Sequence, residues 1–211
     1  MLKFLPDWTM RADPAVPADV IFVLAGLKTR KVFAIQLLNR GVAPRILFSV
    51  GRFEIRRFPE LGLPQTIDLL EMARSIPPPQ RHFFVLFENQ QFAVQRIPIG
   101  PLGTLSEIDA LADWIKVHEE VLSMLIVSSG PHLRRLRICC RALLPRNVKT
   151  RFVATPEENV APNPRDGWED TATRTFFLSE WIKIVCYSIV LPLWTFARRW
   201  KSKSIAPTEL N

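Results

Sequence analysis

One short segment, Val127–Arg135, combines the residue types that could bind an anion and move a proton. Two serines and a glycine follow an apolar run typical of a buried strand, and a helical pattern begins a few residues later. Backbone N–H groups at such a helix start, together with the helix dipole, attract anions. The histidine could act as general acid or base, and an arginine could hold a phosphate or carboxylate through two hydrogen bonds. The alternative is an ordinary helix start with a surface histidine. The ligand-binding candidates here are Ser128, Ser129, Gly130 and Arg135, and the catalytic candidate is His132.

A second group of candidates lies where the first two predicted strands end. Gly26 ends the first apolar run, and Arg30 falls in the first turn of the helix that follows. A cation in that position opposes the helix dipole, so it is an unfavourable choice unless a bound anion compensates. The alternative is an exposed arginine on a solvated face. Ser49 and Gly51 close the second run in the same way, which makes both of them ligand-binding candidates.

Thr104 and Glu107 match the capping-box pattern, in which a threonine caps a helix and a glutamate three residues later reaches back. This structural interpretation explains both residues. The predicted cap also lies at the ligand-binding edge, so Thr104 is kept among the ligand-binding candidates.

Strand and helix patterns alternate along the chain, and these elements must position the candidates. Alternation of this kind predicts an α/β fold: a three-layer, Rossmann-like domain with a mostly parallel sheet of about five strands, helices on both faces and a long C-terminal helix. Ligands bind such sheets at the carboxyl ends of the strands. The predicted strands are 19–25, 45–50, 83–87, 124–127 and 148–154, with 92–97 as a further candidate joined to 83–87 by a turn at Asn89-Gln90. The predicted helices are 29–39, 63–75, 104–121, 132–144 and about 169–200.

The chain of 211 residues is long enough for one α/β domain and short for two. We expect an N-terminal leader at residues 1–17, the α/β domain at 18–170, the C-terminal helix at 171–203 and a tail at 204–211. The N-terminus lacks the apolar run of a secretory signal. Three cysteines without metal-ligand spacing predict reduced thiols, no metal site and a cytoplasmic location.

Basic residues exceed acidic ones by 28 to 20, a net charge of +8. This excess favours phosphates, carboxylates or acidic lipid headgroups as partners. Residues 121–156 hold seven basic residues and no acid, but no nucleic-acid motif accompanies them. A solvated basic face is therefore the preferred interpretation, and nucleic acid is not expected as a partner.

The last predicted helix is strongly apolar and ends in basic residues. Its uncharged run, 184–197, has 14 residues and is shorter than the roughly 20 that span a bilayer. Tryptophans along the helix and its basic end are typical of a helix that lies at a membrane surface. The alternative is a helix that packs on the core and has a basic tail. The first interpretation would place the protein at the inner face of the membrane.

The order of these motifs resembles the YdcF-like family, which includes the SanA and ElyC proteins of bacterial envelopes. The matching elements are Asp19–Gly26 with Arg30, Ser49-Val-Gly51, Ser128-Ser-Gly-Pro-His132 with Arg135, and Glu180 followed by Lys183. Glu71-Met72 and Thr104 match more loosely, and the chain lacks the family's glycine triplet after the first strand and the asparagine before Thr104. The resemblance implies a Rossmann-like fold and a role in envelope biogenesis.

These observations predict a protein that binds an anionic small molecule at the carboxyl edge of the sheet. The molecule would carry a phosphate or carboxylate group, and nucleotide-like molecules are among the candidates. The sequence leaves open whether it is an enzyme, and it specifies no cofactor. The alternative is a non-catalytic membrane-surface protein that keeps the fold and has lost the chemistry.

Overall fold

The computed structural model describes residues 11–63, 67–156 and 171–204. The apolar runs form six strands, and amphipathic or apolar segments between them form helices. The strands are β1 (Val20–Val23), β2 (Arg45–Gly51), β3 (His82–Glu88), β4 (Gln91–Arg96), β5 (Ser123–Ser128) and β6 (Lys149–Ala154). The helices are α1 (Lys28–Asn39), α2 (Leu69–Met72), α3 (Gly103–Val117), α4 (Leu133–Leu143) and α5 (Thr171–Ser204). Short 3-10 helices lie at Ile55–Leu61, Pro78–Gln80 and Gly130–His132.

The six strands form one mixed sheet in the order β4-β3-β2-β1-β5-β6. Strands β2, β1, β5 and β6 pair in parallel, whereas β3 is antiparallel to both of its neighbours. The α/β class is confirmed, and the further candidate strand at 92–97 forms as β4, but the prediction of a mostly parallel sheet is wrong. Asn89 and Gln90 have φ of 49° and 63°, so the chain reverses at the predicted turn and pairs β4 antiparallel with β3. The antiparallel pairing of β3 with β2 was not predicted.

The core consists of two clusters that use alternate residues of β1. Phe22 belongs to the cluster that includes α3, α4 and α5, and its ring meets Phe84 edge-on at 5.6 Å. Ile21 and Val23 belong to the other cluster, with α1 and the Ile55–Leu61 turn. Because successive side chains of a strand point to opposite faces, both faces of β1 are covered, which explains its continuous apolar sequence.

Helix boundaries follow the sequence patterns with one clear exception. The end of α1 is as predicted, since Gly41 follows it with φ of 72°. The predicted helix at 63–75 is wrong over most of its described length, because only Leu69–Met72 is α-helical. Part of that prediction falls at residues 64–66, outside the described residues. Pro59 lies within the preceding 3-10 helix, where the sequence analysis placed no element.

The order of the sheet brings the ends of β1 and β5 together. From β1 the chain passes through α1 to β2 on one side, whereas β5 pairs with β1 on the other side. Strand order therefore reverses between β1 and β5. In open α/β sheets the crevice at such a switch point is where ligands bind.

Candidate functional site

The loop after β1 and the turn after β5 are joined by the side chain of Arg30. Its Nη1 donates to the carbonyl oxygen of Ala25 at 2.9 Å, and its Nη2 donates to Oγ of Ser129 at 2.7 Å. Arg30 is only 6% exposed, so the alternative of an exposed arginine is wrong. Gly26 permits this arrangement, because its φ is 133° and a Cβ there would lie 2.8 Å from Nη1.

Three residues from three elements form the second part of the site. Oε2 of Glu180, on α5, lies 3.0 Å from Nδ1 of His132 and accepts a hydrogen bond of 2.7 Å from Nη1 of Arg135. A carboxylate can only accept, so Nδ1 of His132 carries the proton and Nε2 keeps a lone pair. The turn Gly130–His132 is fixed by a bond from the His132 N–H to the Ser129 carbonyl oxygen at 3.0 Å. Ser129 therefore contacts both Arg30 and His132.

The protonation states of His132 and Glu180 follow from their burial and from the cations beside them. Burial lowers the pKa of His132 below 6.5, opposed by Glu180 and assisted by the charges of Arg30 and Arg135. The imidazole is therefore neutral at pH 7. Burial alone would raise the pKa of Glu180, but the bond from His132 and the charges of His132 and Arg135 lower it to about 2. Glu180 also pairs with Arg135 at 2.7 Å and with Lys183 at 2.7 Å, so it remains ionised beside a neutral imidazole at pH 7.

Arg30 has a different environment from Arg135. Burial lowers the pKa of Arg30, and the charge of Glu107 is the largest effect that opposes it. An arginine stays charged even so. Among the described residues, Arg30 has no carboxylate within 4.0 Å and its Nε has no hydrogen-bond partner. Within the described part of the chain, the buried guanidinium of Arg30 thus contacts only neutral oxygens.

The capping-box prediction for Thr104 and Glu107 is wrong. Helix α3 begins at Gly103, its N-cap is Leu102, and no side chain caps it. Glu107 is 5% exposed, and its Oε1 accepts bonds from the Ala25 N–H at 3.0 Å and from Oγ of Ser49 at 2.5 Å. The capping-box pattern depends on the sequence of one helix alone. In the structure, the loop after β1 lies beside this helix and donates a backbone N–H to the Glu107 carboxylate.

Thr104 instead faces the C-terminal helix. Its Oγ1 lies 3.5 Å from Nη2 of Arg135, at the limit of a hydrogen bond, and its side chain is bonded to Tyr187. Burial raises the pKa of Tyr187, so its phenol is protonated near neutral pH. Thr104 therefore borders the cluster around Arg135.

The end of β2 forms a separate polar group. Ser49 is fully buried, and its Oγ lies 2.7 Å from Nε2 of His82. The N–H of Gly51 donates to Oε2 of Glu54 at 3.0 Å, and Glu54 also pairs with Lys31, which is 2% exposed. These bonds fix the segment after β2 against α1.

The structure therefore arranges the sequence-predicted residues in two connected groups. The first surrounds Ser129 and the second surrounds Glu107. The backbone of Ala25 joins them, because its carbonyl oxygen accepts from Arg30 and its N–H donates to Glu107. Ser128 is fully buried in the strand end, and its Oγ has no hydrogen-bond partner among the described residues. The first group contains Gly26, Arg30, Thr104, Ser129, Gly130, His132 and Arg135, and the second contains Ser49 and Gly51.

A cavity of about 140 Å³ opens beside Gly26, between the loop after β1 and the Ile55–Leu61 turn. Its polar lining comes from Lys28, Lys31, Glu54 and Arg57. Within the described part of the chain, no three His, Cys, Asp or Glu side chains are grouped as metal ligands.

Sequence reasoning missed the roles of three buried residues. Glu107 was interpreted as a cap, and His82 was not selected. Glu180 was expected to matter only because the chain resembles the YdcF-like family. Apart from Lys183, which pairs with Glu180, the partners cited for these residues lie between 33 and 82 positions away in the sequence, so local patterns do not reveal their roles. One usable signal was present: Glu180 is the only acid in an otherwise apolar and basic helix.

Comparisons of the chain with protein-family models, with curated proteins and with solved structures found no match.

Proposed function

We propose that this chain is a YdcF-like, three-layer Rossmann-like domain that binds an anionic small molecule in the crevice between the ends of β1 and β5. The ligand would carry a phosphate or carboxylate group, and nucleotides are among the candidates. The resemblance to the YdcF-like family further suggests a role in bacterial envelope biogenesis. The physical argument for the anion does not depend on that resemblance.

The observation that carries this proposal is the buried charge of Arg30. Moving a cation out of water costs several kcal/mol unless an anion or a full set of hydrogen bonds compensates. Arg30 contacts two neutral oxygens, Ala25 O and Ser129 Oγ, and has no carboxylate within 4.0 Å among the described residues. Glu107 acts on Arg30 only from beyond 4.0 Å, so a ligand phosphate or carboxylate would supply a direct ionic partner.

Two further features support an anion at this position. The crevice lies at the switch point of the sheet, where the chain leaves β1 and β5. Arg135 adds a second guanidinium, one that Glu180 orients through a bond of 2.7 Å. Arg30 would hold the charge of the ligand, Arg135 would assist it, and the turn at Ser128–Gly130 would offer N–H donors.

His132 gives the crevice a group that can move a proton. Glu180 accepts the bond from Nδ1–H, which fixes the ring and leaves Nε2 as the acceptor. The pKa of His132 is below 6.5, so the ring is neutral and able to accept a proton at pH 7. If the bound molecule is also transformed, His132 is the residue that would act as general base.

The second candidate is a non-catalytic protein of the membrane surface. The observation that favours it is the exposed apolar face of α5, on which Ile189 and Leu193 are 64% and 67% exposed. In that case the protein would be cytoplasmic and attached at the inner face of the membrane. The two functions are compatible, because the exposed face of α5 is opposite to Glu180.

Thermal-shift screening tests the anion site directly. The panel would include inorganic phosphate, citrate, nucleotides, sugar nucleotides and S-adenosyl compounds. A ligand at about 100 times its Kd stabilises the native state by about 2.7 kcal/mol, which raises the melting temperature of a domain of this size by roughly 5–10 °C. The rise should be lost in Arg30→Gln and kept in the matched control Arg40→Gln, at an exposed position just after α1. Equal rises in both variants would refute the proposed site.

A further inference from the structure

The C-terminal helix α5 has two chemically different long faces. One face packs on the domain and includes Glu180, the carboxylate bound to His132 and Arg135. The opposite face is apolar and exposed. The packed face consists of Phe177, Glu180, Ile184, Tyr187 and Leu191, all below 9% exposed. The exposed stripe consists of Leu178, Trp181, Ile182, Val185, Ile189, Leu193 and Phe196, which are 39% to 68% exposed.

The spacing of the exposed residues makes them one continuous surface. Successive members are mainly three or four positions apart, the interval that keeps side chains on one face of a helix. From Leu178 to Phe196 the stripe is about 27 Å long, at a rise of 1.5 Å per residue. Single exposed apolar residues are normal on a soluble protein, but a contiguous stripe of this length marks an interaction surface.

Length and composition alone would allow this helix to cross a membrane. Arg174–Arg198 has 25 residues, and its most apolar 18-residue window has a mean hydropathy of 1.6 with 28% of the window buried in the fold. A crossing would remove the helix from the domain and separate Glu180 from Arg135, which leaves two buried charges unpaired. Tyr187 and Leu191 would also leave the core cluster. A helix that lies in the membrane plane keeps all of these contacts.

The charges of α5 favour a lipid surface over a second copy of the chain. The helix has six basic residues and one acid, and that acid, Glu180, is buried and ion-paired. Four of the basic residues occupy the last seven positions of the helix, 198–204; the first of them, Arg198, pairs with Asp109 and Asp113 of α3, and the other three follow it. Two such helices packed together would bring their cations together, and the helix itself adds no acid except the buried Glu180. A membrane with anionic headgroups offers the opposite charge, at about 1 kcal/mol for each Lys or Arg near the surface.

We propose that α5 docks this protein on an anionic membrane surface, with its axis in the membrane plane and the Leu178–Phe196 stripe in contact with the lipid. The domain then sits on the water side of the helix. Glu180 faces the domain, so membrane contact and the candidate site use opposite faces of one helix. This inference does not depend on which ligand the crevice binds.

Co-sedimentation with vesicles tests the inference on the full-length protein. Vesicles of phosphatidylcholine with phosphatidylglycerol should bind the wild type, and vesicles of phosphatidylcholine alone should bind it less. Ile189→Asp and Leu193→Asp should each weaken the binding at least about fivefold, because a charge replaces an apolar contact with lipid. The matched control is Val117→Asp, at an 80% exposed apolar position on α3, and it should bind like the wild type. Circular dichroism checks that each variant is folded.

Three results would overturn the inference. The first is equal binding by the stripe variants and Val117→Asp. The second is resistance of membrane-bound protein to alkaline carbonate extraction, which indicates a helix that spans the bilayer. The third is a stable dimer in sedimentation equilibrium that Leu193→Asp dissociates, without binding to either type of vesicle, which would assign the stripe to a second copy. Release by carbonate together with loss of vesicle binding in both stripe variants supports the inference.

Discussion

Arg30 and Ser129 are 99 positions apart in the sequence, yet Nη2 of the arginine donates a hydrogen bond of 2.7 Å to the serine Oγ. This bond connects the first turn of α1 with the turn after β5. It lies where the strand order of the sheet reverses, between two parallel strands that pair directly. The bond brings a buried cation close to His132, and the proposed anion site depends on that proximity.

The Arg30–Ser129 bond should contribute measurably to stability. Ser129→Ala removes the acceptor and leaves a buried guanidinium N–H unpaired, so we expect a loss of about 1–3 kcal/mol in the free energy of unfolding. Urea denaturation measures this loss. Ser75→Ala, at an exposed position, should change stability by less than about 0.5 kcal/mol. Equal effects of the two substitutions would contradict the importance of the bond.

Glu107 should matter far more than a helix cap does. Glu107→Gln removes the charge opposite Arg30 and weakens the bonds to the Ala25 N–H and to Ser49. We expect a loss of roughly 2–4 kcal/mol, since the position is buried. A local cap would cost about 1 kcal/mol, and urea denaturation separates the two values. A loss below about 1 kcal/mol would favour the capping interpretation after all.

Glu180 should stabilise the fold in a pH-dependent manner. Its pKa is about 2 in the folded protein and about 4.5 in the unfolded chain, so the unfolded chain binds more protons between these values. The stabilisation is fully present above pH 4.5 and is lost as the pH falls towards 2. It amounts to about 3 kcal/mol at most. The free energy difference between wild type and Glu180→Gln should therefore shrink below pH 4.5.

Glu71→Gln is the matched control for Glu180, because Glu71 forms an exposed ion pair with Arg74. Exposed pairs of this kind contribute at most about 1 kcal/mol. A difference between wild type and Glu180→Gln that stays constant from pH 6 to pH 3 would contradict the assigned role of the carboxylate.

His132 should affect stability at higher pH than Glu180 does. Its pKa is lowered from 6.5 in the folded protein, so protonation favours the unfolded chain. The contribution of the neutral His132 to stability is fully present above pH 6.5. It is lost as the pH falls towards the lower pKa that His132 has in the folded protein. His132→Gln should flatten this decline below pH 6.5, whereas Ser75→Ala, at an exposed position without a titratable group, should leave it unchanged. Identical slopes in wild type and His132→Gln would exclude His132 as its source.

The strands could be predicted because burial on both faces leaves a local record. Val20–Val23 is fully buried and reads as a continuous apolar run, and Asn89-Gln90 marks the hairpin. The direction of β3 relative to β2 depends on pairing between distant segments, which composition does not encode. The prediction extended the short helix Leu69–Met72 too far, since residues 73–75 form a turn.

The candidate site could be predicted only in part, for the same reason. Gly26, Arg30 and Ser129 were found because the ends of parallel strands meet at one edge of a sheet. Glu107 and Glu180 approach this edge from helices whose register the sequence does not define. Their partners are chosen by tertiary packing, so each carboxylate was ambiguous until the fold placed it beside Ala25 or Arg135.

Calorimetric titration of wild type, Arg30→Gln and Arg40→Gln tests the central claim most directly. The titrant is the anion that gives the largest melting-temperature rise in the screen. We predict that Arg30→Gln weakens its Kd at least about tenfold, because a charge-assisted hydrogen bond contributes about 1.5–3 kcal/mol. Arg40→Gln should stay within about twofold of the wild type. The same Kd for Arg30→Gln and Arg40→Gln would contradict an anion site at Arg30.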